Sequence, residues 1–283
     1  MSIYPGANES EVEVDGDVVP YVDSVRSKGE PRPIVLVHGS GGTARSHFGA
    51  LFPMLASRRR VIALDYGSVP APGRELTLDA LVAKVRAVLD DAVPGEPVDL
   101  VGYSLGAVVS IALAAERPER CASLTLIAGW LRTDSHQRIR NRVWRTLFEA
   151  GSDALGAFAV LNAYSAQYLA KLSPAEAEAL AERSSPGPDR ARQMRLNAEV
   201  DVLEAATRVS APTLIIGCDH DQIAPPHHSR QMLGAIGDAR MARVRAGHAV
   251  LTERPAEVYQ LVDAFTQRPD EYPAGAHIPP IVV

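Results

Sequence analysis

The chain has 283 residues, of which 46% are hydrophobic and 22% are charged, with a formal net charge of −5. These values allow a sizeable core, and the lack of a dense basic run argues against nucleic acid and against a polybasic membrane anchor, because both need clustered lysine and arginine. The first residues lack the basic and then apolar pattern of a secretory signal, and no segment approaches the roughly 18 apolar residues of a membrane span. The two cysteines, Cys121 and Cys218, indicate no disulfide framework. We therefore expect a cytoplasmic protein without nucleic-acid or membrane partners.

Short apolar runs alternate with longer amphipathic stretches along most of the chain, which is typical of βαβ units and a mostly parallel sheet. Alternating stretches near residues 11–14 and 21–25 predict antiparallel edge strands at the start. Continuous apolar runs bounded by turn residues predict strands buried on both faces at 34–37, 61–64, 98–101, 124–127 and 213–216. Helical periodicity covers 78–93, 105–116 and 256–266. The sequence therefore predicts an α/β fold.

A change of character between about Leu131 and Val209 predicts an inserted helical region. Strand runs stop there, and the chain becomes rich in arginine, alanine and leucine. A crossover of this length without a strand is unusual in a continuous sandwich, so a cap folded over the sheet is the better interpretation. The prediction divides the chain into a core, a helical cap and an extended Pro- and Gly-rich tail, at 1–130 with 209–268, at 131–208 and at 269–283.

The segment Gly102-Tyr103-Ser104-Leu105-Gly106 matches the pattern G-x-S-x-G, directly after a predicted buried strand and directly before a helical pattern. This context is the one the motif requires, because a sharp turn from strand into helix strains the nucleophile and leaves no room for side chains two residues away. Amide groups at the helix N-terminus then point at the developing negative charge. Ser104 is therefore the candidate nucleophile.

A glycine-rich bend, HGSGGT at 38–43, follows the strand predicted at 34–37. Such a bend lets a backbone amide approach a bound carbonyl, and we predict an oxyanion hole made by the amides of Ser40 and Leu105. A phosphate-cradling loop is excluded because no Gly-Lys-Ser/Thr follows. His38 is expected to be a structural hydrogen-bonding residue, and the Ser40 hydroxyl is an additional candidate donor.

Two loops late in the chain supply candidates for an acid and a base. The loop after the strand at 213–216 contains Asp219 and Asp221, and a carboxylate in the loop after a late strand is where a triad acid belongs in this chain order. We predict Asp221, from its spacing to Pro225, with Asp219 as the alternative. His248 follows Gly247 in the last loop before a predicted helix, and it is the candidate general base, oriented by the acid.

With these four segments in place, the chain resembles the α/β-hydrolase fold family over nearly its whole length. The resemblance implies a mostly parallel sheet of about eight strands, a cap domain over the site and no cofactor. The chain departs from many relatives after Asp65, where YGSVPAPG at 66–73 replaces a Gly-rich turn that borders the pocket in the family. Serine at the elbow argues against haloalkane dehalogenases and epoxide hydrolases of this fold, which place aspartate there, and it favours attack on a carbonyl.

Candidates for the substrate pocket are His38, Gly39, Tyr103, Trp130 and Trp144. The two tryptophans lie at the start of the predicted cap, where they would serve equally well as its core.

A histidine pair and a group of arginines in the predicted cap each have both a functional and a purely structural interpretation. The pair His227-His228 has no third ligand at a spacing typical of metal sites, so we predict no metal site and a solvent-exposed helix start. Four cap arginines could steer an anionic substrate or the arm of a carrier protein, although a solvated helix face is the default: Arg138, Arg140, Arg142 and Arg145.

Three functions follow from these residues. The leading hypothesis is a hydrolase that cleaves a carboxylic ester, lactone or thioester with a small or medium apolar acyl group, through an acyl-enzyme intermediate. The second is a biosynthetic enzyme that uses the same triad for cyclisation, C–C cleavage or elimination. The third is a ligand receptor on a hydrolase scaffold, since fold does not dictate function.

Overall fold

A nine-stranded sheet forms the centre of the molecule in the computed structural model, which describes residues 4–25, 31–67, 75–184 and 188–280. The spatial order of the strands is β1-β2-β4-β3-β5-β6-β7-β8-β9. The β1/β2 and β2/β4 pairs are antiparallel and all other pairs are parallel. The strand bounds are β1 Asn8–Val14, β2 Asp17–Asp23, β3 Ile34–Val37, β4 Val61–Leu64, β5 Val98–Tyr103, β6 Cys121–Ile127, β7 Thr213–Cys218, β8 Ala239–Val244 and β9 His277–Ile278.

This architecture confirms the predicted α/β-hydrolase fold with its mostly parallel sheet. The strands β3 and β4 coincide with the runs predicted at 34–37 and 61–64, and the other three predicted runs lie within longer strands. The ninth strand comes from the predicted tail, where β9 pairs in parallel with Met241 and Ala242 of β8. Part of the tail therefore extends the sheet.

A helix lies at each of the three predicted periodic segments, and further helices of 4 to 15 residues form the other connections. Their bounds are α1 Ala44–Phe48, α2 Leu51–Ala56, α3 Leu78–Ala92, α4 Leu105–Glu116, α5 Ser135–Glu149, α6 Ala154–Ala163, α7 Ala166–Leu169, α8 Pro174–Arg183, α9 Pro188–Glu199, α10 Leu203–Thr207, α11 Pro226–Ala235, α12 Val250–Glu253 and α13 Pro255–Gln267. Across the described ranges, every helix is too short or too polar to cross a bilayer.

Helices cover both faces of the sheet, and each face has its own apolar core. Successive residues of β3 divide between the two cores, with Val35 and Val37 in one and Ile34 and Leu36 in the other. Helices α3 and α4 pack in the first core, and α2 and α13 pack in the second. Because both faces are buried, every position of the strand is apolar, which explains why the run is so clear in the sequence.

Between β6 and β7 the described residues form six helices, α5 to α10, and one isolated bridge between Arg132 and Asp201. Trp144, Leu155 and Met194, from α5, α6 and α9, make a small apolar core of their own. Helix α10 packs instead against α4 of the sheet body. We refer to α5 to α9 as the cap helices; the division of the chain into domains stays a prediction. Residues 68–73, in the loop that departs from the family pattern, lie outside the described residues.

Candidate active site

Ser104 lies at the turn between β5 and α4, in a backbone conformation that L-residues rarely adopt. Its φ is 56° and its ψ is −120°, and such strain persists only where the surroundings enforce it. A Cβ atom on Gly106 would lie 2.0 Å from the carbonyl oxygen of Val37, and one on Gly102 would lie 2.4 Å from the carbonyl oxygen of Gly106. The turn therefore requires glycine at both positions, and it presents the Ser104 hydroxyl at the N-terminus of α4.

The Ser104 hydroxyl meets the side chains of His248 and Asp221 in one chain of hydrogen bonds. Ser104 Oγ is 2.8 Å from His248 Nε2, and His248 Nδ1 is 2.7 Å from Asp221 Oδ2. All three residues are buried. Because the carboxylate can only accept, Nδ1 carries the proton and donates it, which leaves Nε2 as the acceptor for the Ser104 hydroxyl. This arrangement is that of a serine prepared for nucleophilic attack.

Asp221, and not the alternative Asp219, contacts the histidine. The second carboxylate oxygen of Asp221 accepts hydrogen bonds from the backbone N–H groups of Ile223 and Ala224, at 2.7 and 2.8 Å. These bonds fix the carboxylate toward His248. Asp219 instead forms an ion pair with Arg243, with a 2.7 Å contact, at the edge of the sheet.

Tyr103 holds the histidine loop in place. Its hydroxyl donates a hydrogen bond of 2.9 Å to the backbone carbonyl oxygen of His248. Burial, together with the nearby Asp221 carboxylate, raises the pKa of Tyr103 well above its usual value, so the hydroxyl keeps its proton as a donor. On the other side of the loop, the Gly247 N–H donates to Glu253. The loop therefore has a fixed position relative to Ser104.

The glycine-rich bend passes directly beside Ser104. A Cβ atom on Gly39 would lie 2.8 Å from the Ser104 Cβ. Leu105 opens α4, so its N–H belongs to the first turn, where amides have no intrahelical acceptor. Ser40 lines the same cavity as Ser104. The structure thus brings the two residues of the predicted oxyanion hole, Ser40 and Leu105, to the two elements that flank the nucleophile.

His38 lies behind the bend. Its Nε2 accepts the Tyr66 N–H at 3.3 Å, so Nδ1 carries the proton and donates to the carbonyl oxygen of Gly39 at 2.8 Å. Burial lowers the pKa of His38, which keeps the ring neutral. Although both were pocket candidates, His38 and Gly39 are not part of the described cavity wall, and their contacts instead shape the bend.

Helix α9 holds the bend from the side of the cap. The Gly41 N–H donates to Gln193 Oε1 at 2.5 Å, and Asn197 Nδ2 donates to Ser40 Oγ at 2.8 Å. Because the Ser40 hydroxyl accepts here, its own proton stays available for a bound group. Gln193 and Asn197 are not evident from the sequence, since no sequence signal links polar residues more than 150 positions apart.

A cavity of about 270 Å³ opens onto Ser104 between the sheet body and the cap helices. Trp130 contributes to its wall, as expected. For Trp144 the expectation is corrected: among the described residues it is absent from this wall, and it stacks on Phe148 in the core of the cap helices. The reason is its place on α5, one turn beyond Arg140, where α6 and α9 already cover that face of the helix.

The polar part of the cavity wall comes mainly from the cap helices. Of the four arginines noted in the sequence, Arg140 reaches this cavity, whereas Arg138, Arg142 and Arg145 line a separate surface groove. Arg190 of α9, which has no distinguishing signal in the sequence, also lines the cavity. The polar residues contributed by α5 and α9 are Gln137, Arg140, Asn141, Arg190 and Asn197.

His47 of α1 is a further cavity residue that sequence reasoning missed. Its Nδ1 accepts the Gly39 N–H at 3.2 Å, and its ring meets that of Tyr103 edge to face at 5.0 Å. Burial, reinforced by His38 and Arg190, lowers the pKa of His47 well below its usual value. The ring is therefore neutral, with its proton on Nε2. A single histidine in a five-residue helix gives no signal in the sequence.

The pair His227 and His228 at the start of α11 differs from expectation. His228 is fully buried rather than exposed, and Asp134 supplies a third potential ligand, with its Oδ2 2.8 Å from His227 Nε2 and 3.4 Å from His228 Nε2. Burial would raise the pKa of Asp134, but the Gln137 N–H and His227 lower it below its usual value. Asp134 also caps α5, so this cluster joins the first cap helix to α11. Its members come together only because the cap packs on the body, which spacing along the chain does not reveal.

Comparisons with known proteins agree with this architecture. The model of the alpha/beta hydrolase family matches residues 34–261. The chain is 33% identical over 241 residues to the pyrrolizixenacetamide deacetylase of Xenorhabdus hominickii, covering 82% of this chain and 90% of the relative. It is 28% identical over 259 residues to a protein of Azorhizobium caulinodans provisionally named carbamate hydrolase RutD, covering 86% and 94% of the two chains.

Solved structures share the fold at lower sequence identity. MGS-M2, an alpha/beta hydrolase from a Medee basin deep-sea metagenome library, matches with a TM-score of 0.82 at 19% identity, covering 92% of this chain and 98% of that one. The enol-lactonase of Burkholderia xenovorans LB400 matches with a TM-score of 0.77 at 23% identity, covering 92% and 100%.

Proposed function

This chain belongs to the alpha/beta hydrolase family, and on that premise we propose that it is a serine hydrolase that cleaves an acyl bond through an acyl-enzyme intermediate. The observation that carries the proposal is the buried chain of hydrogen bonds from Ser104 through His248 to Asp221. The relatives named as hydrolytic enzymes support the reaction class.

In the first half of the proposed reaction, Ser104 Oγ attacks the substrate carbonyl carbon while His248 Nε2 takes the hydroxyl proton. The carbonyl oxygen becomes an oxyanion, which the amides of Ser40 and Leu105 stabilise. The Asp221 carboxylate stabilises the imidazolium that forms. When the tetrahedral intermediate collapses, His248 returns the proton to the leaving group, and the acyl group stays on Ser104.

In the second half, water enters the cavity beside the acyl-enzyme. His248 Nε2 takes a proton from the water, whose oxygen attacks the acyl carbon, and the carboxylic acid leaves as Ser104 recovers its proton. The two hydrogen bonds from α9 to the bend at Ser40 and Gly41 keep the oxyanion donors in place through both halves. These contacts support the proposal that Ser104, His248 and Asp221 act together in hydrolysis.

The bond we favour is a carboxylic ester, lactone or thioester, because these are the acyl donors that a serine triad cleaves most readily. An amide is a second candidate, favoured by the name of the Xenorhabdus relative, a deacetylase of an acetamide. We further propose a cytoplasmic enzyme, since both cysteines are free and buried.

A panel of p-nitrophenyl esters, acyl thioesters and acetanilides, assayed with the wild type and with Ser104→Ala, tests the proposal. We expect turnover of at least one ester or thioester by the wild type and its loss in the variant. Turnover confined to acetanilides would select the amide. Labelling of Ser104 by a serine-directed phosphonate, without turnover of any panel member, would favour a biosynthetic enzyme or a receptor over a hydrolase.

A further inference from the structure

The cavity beside Ser104 has a strongly cationic wall in an otherwise acidic chain. Arg140, Arg183 and Arg190 line it, and the described wall contains no aspartate or glutamate. The whole chain, by contrast, has a formal net charge of −5. The described wall of the cavity beside Ser104 therefore carries positive charge and no carboxylate.

Elsewhere in the described chain, buried arginines have carboxylate partners. Arg59 contacts Asp99, Arg120 lies 2.5 Å from Asp90, and Arg240 lies 2.8 Å from Asp238. Such pairing is the rule because a buried charge without a partner is unfavourable. Two cavity arginines, Arg140 and Arg190, are partly buried and have no ion-pair partner among the described residues, whereas Arg183 is exposed.

Arg140 and Arg190 form no ion pair with a described carboxylate, although the Asp221 carboxylate is near enough to Arg140 to raise its pKa slightly against the effect of burial. The Nε atom of each is buried without a hydrogen-bond partner in the part of the chain that the structure describes. Arg140 donates to the neutral side chain of Asn141 at 2.9 Å. Burial, with the nearby Arg190 charge, lowers the pKa of Arg140 to about 10, and burial also lowers the pKa of Arg190. The guanidinium group of arginine nevertheless stays protonated in proteins at neutral pH. Two like charges that face one cavity leave a place for an anion.

The position of Arg190 brings this charge close to the reacting atoms. A Cβ atom on Gly41 would lie 2.6 Å from Arg190 Cδ, so the arginine packs directly on the bend that flanks Ser104. Arg140 lies on the other cap helix that lines the same cavity. An anionic group between the two arginines would therefore belong to the same small molecule whose carbonyl faces the nucleophile.

We propose that the substrate is a small acyl compound bearing a carboxylate, which binds between Arg140 and Arg190 while its carbonyl faces Ser104. This inference rests on the proposed hydrolase function and names its substrate class. The proposed carboxylate-bearing substrate differs from the apolar acyl substrate that the sequence predicts. A planar guanidinium pairs with a carboxylate through two parallel hydrogen bonds, which makes arginine well suited to this task. A cavity of about 270 Å³ lies at the small end for ligand sites, which favours a compact molecule.

Matched esters test the proposal through catalysis. The first pair is the p-nitrophenyl monoester of glutaric acid against p-nitrophenyl pentanoate, which places the charge on the acyl side. The second pair is 4-acetoxybenzoate against phenyl acetate, which places it on the leaving group. In at least one pair we expect kcat/KM of the wild type to favour the anionic ester. That preference should fall about 10- to 100-fold in Arg140→Gln and in Arg190→Gln, the range for one charge-assisted hydrogen bond.

Arg138→Gln is the matched control, since Arg138 lies on the same helix, is exposed and lines the separate surface groove. Its preference ratio should stay within about twofold of the wild type, because an exposed charge is largely screened. Equal loss of preference in all three variants would mean that the general field of the cap, and not a site, selects the anion. Absence of any preference for the anionic ester in both pairs would overturn the proposal.

A binding measurement separates this proposal from the proposed reaction. Titration calorimetry of Ser104→Ala with glutarate should show binding that weakens about tenfold or more when Arg140→Gln or Arg190→Gln is added. Glutarate binding without turnover of any ester would sustain the anion site and reject the hydrolase. Tighter binding of inorganic phosphate than of glutarate would overturn the carboxylate assignment, as would the absence of glutarate binding to correctly folded protein.

Discussion

In the sheet body, the guanidinium of Arg59 lies against the Asp99 carboxylate, whereas in the cap helices Arg140 and Arg190 face a cavity without a described carboxylate. Arg59 is buried and ion-paired, whereas Arg140 and Arg190 are partly buried, with buried Nε atoms that lack a partner among the described residues. Unneutralised buried charge lowers stability, so a protein keeps it where a ligand supplies the counter-charge. The body therefore provides a rigid support for the triad, and the cap helices provide the binding chemistry.

Ser104, His248 and Asp221 all lie in the sheet body. Of the substitutions considered, that of the acid has the largest expected effect on kcat. We expect Asp221→Asn to lower kcat about 10⁴-fold, because the amide favours the wrong tautomer of His248. Asp219→Asn removes only a partly exposed ion pair with Arg243 and should change kcat by no more than a few-fold. Steady-state assays of both variants provide the comparison. The reverse order of effects would identify Asp219 as the functional acid.

Breaking a buried ion pair of the sheet body should lower the free energy of unfolding more than removing a cavity arginine does. Asp99→Ala leaves Arg59 buried without its carboxylate and should lower the free energy of unfolding by about 3–5 kcal/mol. Arg140→Met removes an unpaired cation and should change it by less than about 1 kcal/mol or raise it. Urea denaturation of the two variants measures both effects. Equal destabilisation would show that Arg140 has a structural role and would remove the contrast between the regions.

The contacts between the two regions should affect catalysis more than stability. Gln193→Ala removes the hydrogen bond to the Gly41 amide, and we expect it to lower kcat about tenfold by loosening the bend that contributes Ser40. Gln193→Glu retains an acceptor and should recover most of this loss. A fall in unfolding free energy in Gln193→Ala with unchanged kcat would instead assign Gln193 a purely structural role.

The smallest expected effect is the change in folding stability with pH. Burial lowers the pKa values of His38 and His47, so below about pH 6.5 the unfolded chain binds protons at these residues that the folded chain does not bind. Stability is then full above about pH 6.5 and falls as the pH decreases, by up to about 1.4 kcal/mol per pH unit for each histidine. Denaturation at pH 7.5 and 5.5 should show a smaller loss in His47→Gln than in the wild type. The exposed His136→Gln is the control and should retain the wild-type loss.

The two regions also differ in how far the sequence predicts them. Ser104 and His248 lie in short local motifs, where glycines at fixed positions and the flanking strand and helix patterns are enough to identify each loop from the sequence alone. The spacing to Pro225 predicts Asp221 rather than Asp219, and the structure places Asp221 2.7 Å from His248. The backbone bonds from Ile223 and Ala224 that orient its carboxylate are not evident from spacing alone.

The cap helices lack such local signals. Gln193, Asn197 and Arg190 gain their roles from contacts with the bend at 38–43, far away in the chain. The sequence does not show whether the Trp144 side chain meets the cavity or the core of the cap helices. His228 is buried for the same reason, since the cap covers a helix start that the chain's local pattern describes as exposed.

The most direct test of the central claim is covalent labelling with a serine-directed phosphonate, followed by intact mass and peptide mapping, alongside ester turnover by the wild type and by Ser104→Ala. We expect one label per chain on Ser104 and turnover that falls by several orders of magnitude in the variant, about 10⁶-fold where the triad acts as a unit. Absence of labelling in folded wild-type protein, with equal turnover in both proteins, would contradict the assignment of Ser104, His248 and Asp221 as the catalytic site.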